Sequence, residues 1–347
     1  MKTILVTGAG GYIGSVLVSK LLDKGYRVKA VDRFFFGKDK LPHHPNLVTI
    51  QEDSRRLQDE VFADVYAVID LVAISNDPSG ELFQEATFQI NHISRVRTAY
   101  KAKKLGVKRY ILPSSCSLYG FQPPEMKVDE TSPTNPLTTY ARANEMAEHG
   151  VLPLADSQYT VVVIRQATVY GYSPRLRFDL AINGMALGAW KNGVIPLMRD
   201  GSQWRPFVHV QDTTDVMMLL LEADPAAVNG QIFNVGSDRN NYQLGQLAEE
   251  ITDAMPKSVR IDWYGDPDHR SYRVSFEKIE KALNWKAKWT AAKGALEIYH
   301  ALEAGGISNI EQTITLSWYS ELVKWHRIIE DVKLYGGILD LEGSNPR

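Results

Sequence analysis

Thr3 to Gly14 reads TILVTGAGGYIG, and this stretch decides the fold. A largely apolar run, Thr3 to Thr7, stops at Gly8. From Ile13 the apolar positions Val16, Leu17 and Leu21 fall on one helical face, which ends near Gly25. Strand, glycine turn and helix in that order predict the opening βα unit of a nucleotide-binding sheet. Glycines at 8, 11 and 14 permit a tight turn, close approach of a pyrophosphate and close helix–strand packing. Tyr12 and Ile13 open the helix, whose N-terminus offers unpaired N–H groups and a positive dipole end to phosphates. Arg27 to Asp32 (RVKAVD) supplies a second strand. Asp32 ends it at the spacing where a carboxylate accepts both ribose hydroxyls of NAD, the expected cofactor, and repels a 2′-phosphate. The adjacent Arg33 keeps NADP open.

Outward from this unit the alternation continues, with strands expected at Ala67 to Val72 (AVIDLV), Tyr110 to Leu112 (YIL) and Tyr159 to Ile164 (YTVVVI). Strands alternating with helical patterns predict an α/β fold, a doubly wound parallel sheet of the Rossmann type. Beyond Tyr170 the alternation breaks down. Gly171 to Pro206 is loop-rich, with one helical pattern around Leu180 to Trp190. Phe207 to Val210 (FVHV) and Ile232 to Val235 (IFNV) read as strands, and Asp212 stands where it would cap a helix from Thr213 to Ala223. From about residue 240 a smaller, mostly helical region is expected. The chain therefore divides into a dinucleotide-binding domain at 1–170, returning at about 207–236, and a smaller C-terminal substrate-binding lobe made of 171–206 and 237–335. A polar tail occupies 336–347.

Composition excludes several classes. The 347 residues carry 39 Lys plus Arg against 41 Asp plus Glu, a net charge of −2, so no positive field exists to hold nucleic acid or an anionic membrane. The single cysteine, Cys116, permits no internal disulfide and suggests a reducing compartment. The N-terminus lacks the apolar stretch of a signal peptide, and no apolar run is long enough to span a bilayer, so a cytoplasmic protein is expected. The tandem His43-His44 has no ligand partners at metal spacing, so no metal is expected. Nucleophile-elbow and phosphate-loop motifs are absent.

Read in order, TGAGGYIG with Asp32, QEDSRR, IDLVAIS, INHIS, SSCSLYG and YARAN resemble the extended short-chain dehydrogenase/reductase family, specifically its NAD-dependent nucleotide-sugar epimerases, dehydratases and reductases. The resemblance covers nearly the whole chain. It implies that Asp53, with Ser54 beside it, sits where the family contacts the adenine amine. Leu71, Val72 and Ala73 would line the cofactor, Asn91 matches a family asparagine on the following helix, and Ser114 joins the cofactor wall. Ser115 would hydrogen-bond the sugar oxygen being oxidised, and Tyr140 would take or return the hydroxyl proton while hydride moves to or from the nicotinamide. The bare chemistry needs such a pair, because removing hydride from an alcohol leaves a proton to be accepted.

The sequence departs from the family pattern YxxxK at its last position, which is Asn144. Positions i and i+4 share a helix face, so the absent ammonium would have sat beside the phenol. Three readings stand: another cation reaches the site, turnover is slow or only reductive, or the chain binds without catalysis. The 4,6-dehydratases carry Asp and Glu after the serine, where this chain has Cys116 and Ser117, so dehydration by that route is not expected. Cys116 is left either as an acid or base beside a keto group or as a small buried thiol. Gly201 to Asp212 (GSQWRPFVHVQD) resembles the family segment whose arginine, here Arg205, faces the substrate diphosphate. Arg270 matches a second such arginine, Thr168 stands where the family has asparagine against the sugar, and His209 reads as a core residue. The resemblance thus implies NAD-dependent modification of a nucleotide-activated sugar, with epimerisation through a transient keto intermediate leading, in a homodimer. A net reductase or dehydrogenase and a catalytically weakened binding protein are the rivals.

Overall fold

The runs TILVT (Thr3–Thr7) and TVVVIRQ (Thr160–Gln166) are buried along their whole length, as strands inside a parallel sheet covered on both faces must be. The computed structural model describes residues 1–123, 125–266, 270–307 and 311–333. In chain order its strands begin with β1 (Thr3–Thr7), β2 (Arg27–Asp32), β3 (Leu47–Gln51), β4 (Val65–Asp70) and β5 (Arg109–Ser115). They continue with β6 (Lys127–Val128), β7 (Thr160–Gln166), β8 (Thr168–Tyr170), β9 (Val194–Met198) and β10 (Trp204–His209). The last are β11 (Gln231–Val235), β12 (Asn241–Gln243), β13 (Arg260–Tyr264) and β14 (Arg273–Val274). Seven of them form one all-parallel sheet in the order β11-β7-β5-β4-β1-β2-β3. The chain winds outward from β1 through β2 to β3, then returns to β4 and winds the other way. The order therefore reverses between β1 and β4, and the crevice beyond their carboxyl ends is where such sheets bind ligands.

The helices are α1 (Tyr12–Asp23), α2 (Asp77–Leu82), α3 (Gln84–Thr87), α4 (Arg95–Lys104), α5 (Thr139–Val151) and α6 (Ala181–Asn192), with a π-helical turn at Phe88–Ser94 leading into α4. Then follow α7 (Val210–Glu222), α8 (Pro225–Val228), α9 (Leu244–Ala254), α10 (Glu277–Leu283), α11 (Ala291–Glu303) and α12 (Thr315–Val332). Leu17 and Leu21 of α1 and Val216 and Leu220 of α7 bury against one face of the large sheet. Ala99 and Ala102 of α4 and Ala147 and Val151 of α5 bury against the other. A separate core joins Ile182 and Met185 of α6, Leu247 and Ile251 of α9 and Ile298 of α11 to Tyr12 and Val16 of α1.

One local expectation needs correction. The helix after β10 starts at Val210, capped by His209, whose Nδ1 accepts from the Gln211 N–H at 3.2 Å. Asp212 lies inside it and accepts instead from the backbone N–H groups of Lys288 and Trp289, at 3.0 and 3.1 Å. Beyond residue 240 the described residues are mostly helical as expected, and β12, β13 and β14 each pair with a strand from earlier in the chain. His209 is buried as expected, stacked on Trp289 at 3.9 Å between ring centroids and bonded to Glu297 at 2.9 Å. The tail 336–347, like 334–335 before it, lies outside the described residues.

Behind the end of β5 lies a buried ion pair. Arg165 of β7 donates to both Glu148 carboxylate oxygens, at 2.7 Å from Nη2 and 3.1 Å from Nε. Ser114 donates its hydroxyl to the same carboxylate at 2.5 Å. Removing one partner of such a pair strands the other, which typically costs about 3–5 kcal/mol. Glu148→Gln is therefore expected to lower the urea midpoint of unfolding by an amount equivalent to about 3 kcal/mol, measured by circular dichroism, whereas Ser114→Ala should lower it by about 1 kcal/mol.

Candidate active site

The crevice between β1 and β4 is shaped by what glycine lacks. Gly8 turns with φ +65°, and a Cβ there would lie 2.7 Å from the Leu71 carbonyl carbon and 2.8 Å from the Val72 nitrogen. A Cβ on Gly14 would collide with the Gly8 carbonyl oxygen, so α1 rests directly on the turn. A Cβ on Gly11 would meet only that oxygen, at 3.1 Å, which leaves its outer side clear. Tyr12, Ile13 and Gly14 form the first turn of α1, whose N–H groups have no intrahelical acceptors, and no acidic side chain stands in that turn. An open glycine, exposed donors and no competing carboxylate fit a pyrophosphate.

Asp32 ends β2 beside the glycine turn. Its Oδ2 accepts from the Gly10 N–H at 3.0 Å and its Oδ1 from the Phe34 N–H at 2.7 Å. Each oxygen keeps a second lone pair, which suits two ribose hydroxyls. Burial pushes this carboxyl upward, and the two backbone donors oppose the shift. Arg33 lies over Phe35, 4.6 Å from the ring centroid, and reaches Asp53 at 3.4 Å. Asp53 is held mainly by Arg55, at 2.6 Å from Nη2 and 2.9 Å from Nε, and these bonds draw its carboxyl down to about 2. Ser54 shares a hydroxyl contact with Ser94 at 3.2 Å. Both amide groups of Asn91 clamp the backbone of Ile74, at 2.8 and 2.9 Å, which fixes the segment that follows Leu71, Val72 and Ala73. The hydroxyl of Ser114 points behind the sheet, toward Glu148.

On the other side of the crevice the structure brings Ser115 and Tyr140 together. Ser115 ends β5; its Oγ accepts from the Ser117 N–H at 3.1 Å, and it lies near enough to the Tyr140 phenol to draw its titration down. Tyr140 stands in the first turn of α5. Thr138 caps that helix, accepting from the Ala141 N–H at 3.1 Å, and Glu81 accepts from the Thr139 N–H at 2.7 Å. Gly80 lets α2 lie against the tyrosine, where a Cβ would come within 3.2 Å of the Tyr140 Cβ. Burial raises the phenol, Asp77 raises it further, and Arg95, Ser115 and Arg177 pull it back. Cys116 is buried in the core with its Sγ donating to the Arg165 carbonyl at 3.2 Å, and burial pushes its thiol well up. That geometry favours the small buried thiol over an acid or base. The Ser117 hydroxyl is enclosed without a hydrogen-bond partner.

Asn144 does not face the crevice. Its Nδ2 donates back to the Tyr140 carbonyl at 2.8 Å, and its Oδ1 accepts from Arg95 Nη1 at 2.8 Å. Arg95 is not among the residues that the sequence singles out. It is 1% exposed, and its Nη2 donates to the Asp70 carbonyl at 2.8 Å and to the Pro113 carbonyl. A signal exists: Arg95, Thr98, Ala99 and Ala102 share the helical spacing of the buried stripe of α4, an unusual place for a guanidinium.

The predicted substrate residues also converge. Arg205 on β10 donates to the Trp204 carbonyl at 2.9 Å and to the Arg270 carbonyl, and lies over Tyr272 at 5.4 Å. Arg270 is paired with Asp77, which also accepts from Thr138 at 2.6 Å, so this cation is tied to the start of α5. Thr168 on β8 lies alongside Phe207 of β10. Two further buried arginines lie in the loop GYSPRLRFD. Arg177 reaches Ser75 Oγ at 3.1 Å and Asp179 at 2.8 Å. Arg175 sits 3.7 Å over Phe36, bonds Thr315 at 3.0 Å and is brought down to about 9 by burial and by Arg177. From α12, Tyr319 packs on Phe35, Phe36 and Phe83, and Trp318 donates to the Phe35 carbonyl at 2.7 Å. The last described helix thus touches both the loop after β2 and the end of α2.

Comparison with known proteins agrees with this geometry. Residues 4–236 match the family model described as the NAD dependent epimerase/dehydratase family. UDP-arabinose 4-epimerase 1 of Arabidopsis thaliana is 27% identical over 333 residues, covering 85% of this chain and 77% of that protein. UDP-glucuronic acid decarboxylase 1 of the same plant is 26% identical, covering 84% and 67%. Among solved structures, the UDP-glucuronic acid 4-epimerase of Bacillus cereus, in complex with UDP-glucuronic acid and NAD, superposes with a TM-score of 0.75 at 21% identity, covering 87% of this chain and 99% of that one. Since that family model spans well over half of the chain, the chain belongs to the NAD-dependent epimerase/dehydratase family.

Proposed function

We propose that this protein epimerises a nucleoside-diphosphate sugar, through transient oxidation of one ring hydroxyl at the Ser115–Tyr140 pair. The observation that carries the reading is that pair, Ser115 at the end of β5 and Tyr140 in the first turn of α5, brought together at the carboxyl end of the sheet that also holds Gly11 and Asp32. The first turn of α1 would hold the cofactor's pyrophosphate, Asp32 its adenosine ribose, and the backbone of Leu71 to Ala73 the neighbouring wall. NAD bound there supplies reversible two-electron oxidation of a carbinol carbon.

The rest falls to the chain's own side chains. Ser115 holds the reacting oxygen by a hydrogen bond, and the Tyr140 oxygen, as phenolate, takes its proton as the carbonyl forms. When the carbonyl is reduced again, Tyr140 returns the proton to the same oxygen, so the pair ends as it began. Arg205 and Arg270 place two guanidinium groups beside β10, suited to the substrate's diphosphate. Asp77 orients Arg270 and so couples diphosphate binding to the helix that carries Tyr140. Two arginines per diphosphate and UDP-sugar names among the relatives support a UDP-sugar as the first substrate to test. Homodimeric assembly and a cytoplasmic setting belong to the same reading; among the described residues no helix is long and apolar enough to cross a membrane.

Purified protein incubated with UDP-arabinose or UDP-glucuronic acid should interconvert it with its 4-epimer, resolved by anion-exchange chromatography, while total NADH stays constant. Stoichiometric NADH consumption or release of carbon dioxide would instead assign a net redox or decarboxylating reaction. Tyr140→Phe should lower kcat by about 10²–10⁴-fold, the usual weight of a positioned acid or base. The same variant should release as much NAD on denaturation as the unaltered chain, measured by mass spectrometry.

A further inference from the structure

We propose that Arg95 is the positioning cation of the Ser115–Tyr140 pair, acting through Asn144 from a helix other than the one that carries the tyrosine. The proposal rests on the epimerase reading for its role in turnover, though not for its effect on the tyrosine itself.

Arg95 is 1% exposed, and its acceptors are the carbonyls of Asp70 and Pro113 and the carboxamide of Asn144, all of them neutral. The carboxylate of Asp70, which would be the natural counter-ion, is occupied by the hydroxyls of Thr7 and Tyr110, each at 2.5 Å. The Nε of Arg95 has no hydrogen-bond partner. A buried guanidinium normally meets a carboxylate, because an uncompensated buried charge is costly. Here the positive charge is solvated by dipoles and left without direct neutralisation, one residue contact away from the backbone of Tyr140. The Asn144 carboxamide spans that contact, accepting from Arg95 and donating to the Tyr140 carbonyl, each at 2.8 Å.

Other charged and titratable groups come close to Tyr140 or lie on the elements around it. Asp77 and Glu81 lie on α2, His92 on the π-helical turn, and Arg177 on the loop after β8. Arg270 reaches in through Asp77, and Arg142 and Glu145 lie on α5 itself. Asp77 is answered by Arg270 and Arg177 by Asp179, so both are largely neutralised locally. Among these described groups Arg95 is the fully buried arginine whose hydrogen bonds reach no carboxylate, while Arg142 is exposed. Its field favours the deprotonated phenol, and its link through Asn144 fixes the first turn of α5.

The test reads Tyr140 directly. In protein labelled with ¹³C at the hydroxyl-bearing ring carbon of tyrosine, the Tyr140 resonance is assigned by its loss in Tyr140→Phe. Its titration requires neither substrate nor turnover. Asn144→Asp is nearly isosteric, keeps an acceptor for Arg95 and adds a cancelling charge. It should raise the Tyr140 titration by about one pH unit or more. Arg95→Met should move it the same way, and Arg95→Met combined with Asn144→Lys should bring it back. In turnover, both single variants should lower kcat at pH 7 by about tenfold for each pH unit that the tyrosine's titration rises, with KM little changed and the ascending limb of the pH profile displaced to higher pH. The double variant should recover both. A Tyr140 that titrates at one pH in all the folded chains, or in none before unfolding, overturns the proposal, as does a double variant no better than Arg95→Met. Failure of the epimerase reading looks different: no sugar nucleotide would turn over, while the displaced titrations remain.

Discussion

The hydrogen bonds that Arg95 makes to the carbonyls of Asp70 and Pro113 tie together the carboxyl ends of β4 and β5, the two strands that separate cofactor from chemistry. Asp70 leads into Leu71 to Ala73, the wall that touches Gly8. Pro113 leads into Ser115. The third bond, to Asn144, fixes α5 against the same point. One guanidinium therefore sets the relative placement of the cofactor wall, the serine and the tyrosine. In the proposed reaction a loop-borne pair could tolerate small shifts in the sheet, but one held at strand and helix ends could not, since proton transfer needs hydrogen-bond distance.

Much of the cofactor side is legible in the sequence because its physics is local. A turn at positive φ requires Gly8, a helix resting on that turn requires Gly14, and a carboxylate at the end of β2 follows from strand length. Ser115 and Tyr140 are legible by resemblance, and the structure brings them near enough for the serine to draw the phenol's titration down. Arg205 and Arg270 are legible in the same way, but their link through the Arg270 carbonyl and Asp77 is not. That link joins residues from three separate segments.

What the sequence hides depends on partners far along the chain. Asp212 has the side chain of a helix cap, yet its acceptors serve Lys288 and Trp289, and His209 takes the capping role. Short strands such as Arg273–Val274 have too few residues to show a period and exist because Lys127–Val128 pairs with them. Arg95 looks like one of several surface cations in RVRTAYKAKK, and only its phase with Thr98, Ala99 and Ala102 marks it as inward-facing. Asn144 reads as a missing lysine; in the structure it is half of a two-residue arrangement whose other half lies on α4.

The position of α12 has a consequence for how the molecule comes into being. Tyr319 and Trp318 close over Phe35 and Phe36, a loop made early in synthesis, from the last described helix. The nucleotide cradle, the sheet and the serine–tyrosine pair are all encoded before that helix leaves the ribosome. A chain interrupted before Thr315 would carry every one of those groups and still leave the edge at Phe35 and Phe36 uncovered, with Arg175 deprived of the Thr315 hydroxyl. Completion of that edge is thus a check, made by the fold itself, that synthesis has run through α12.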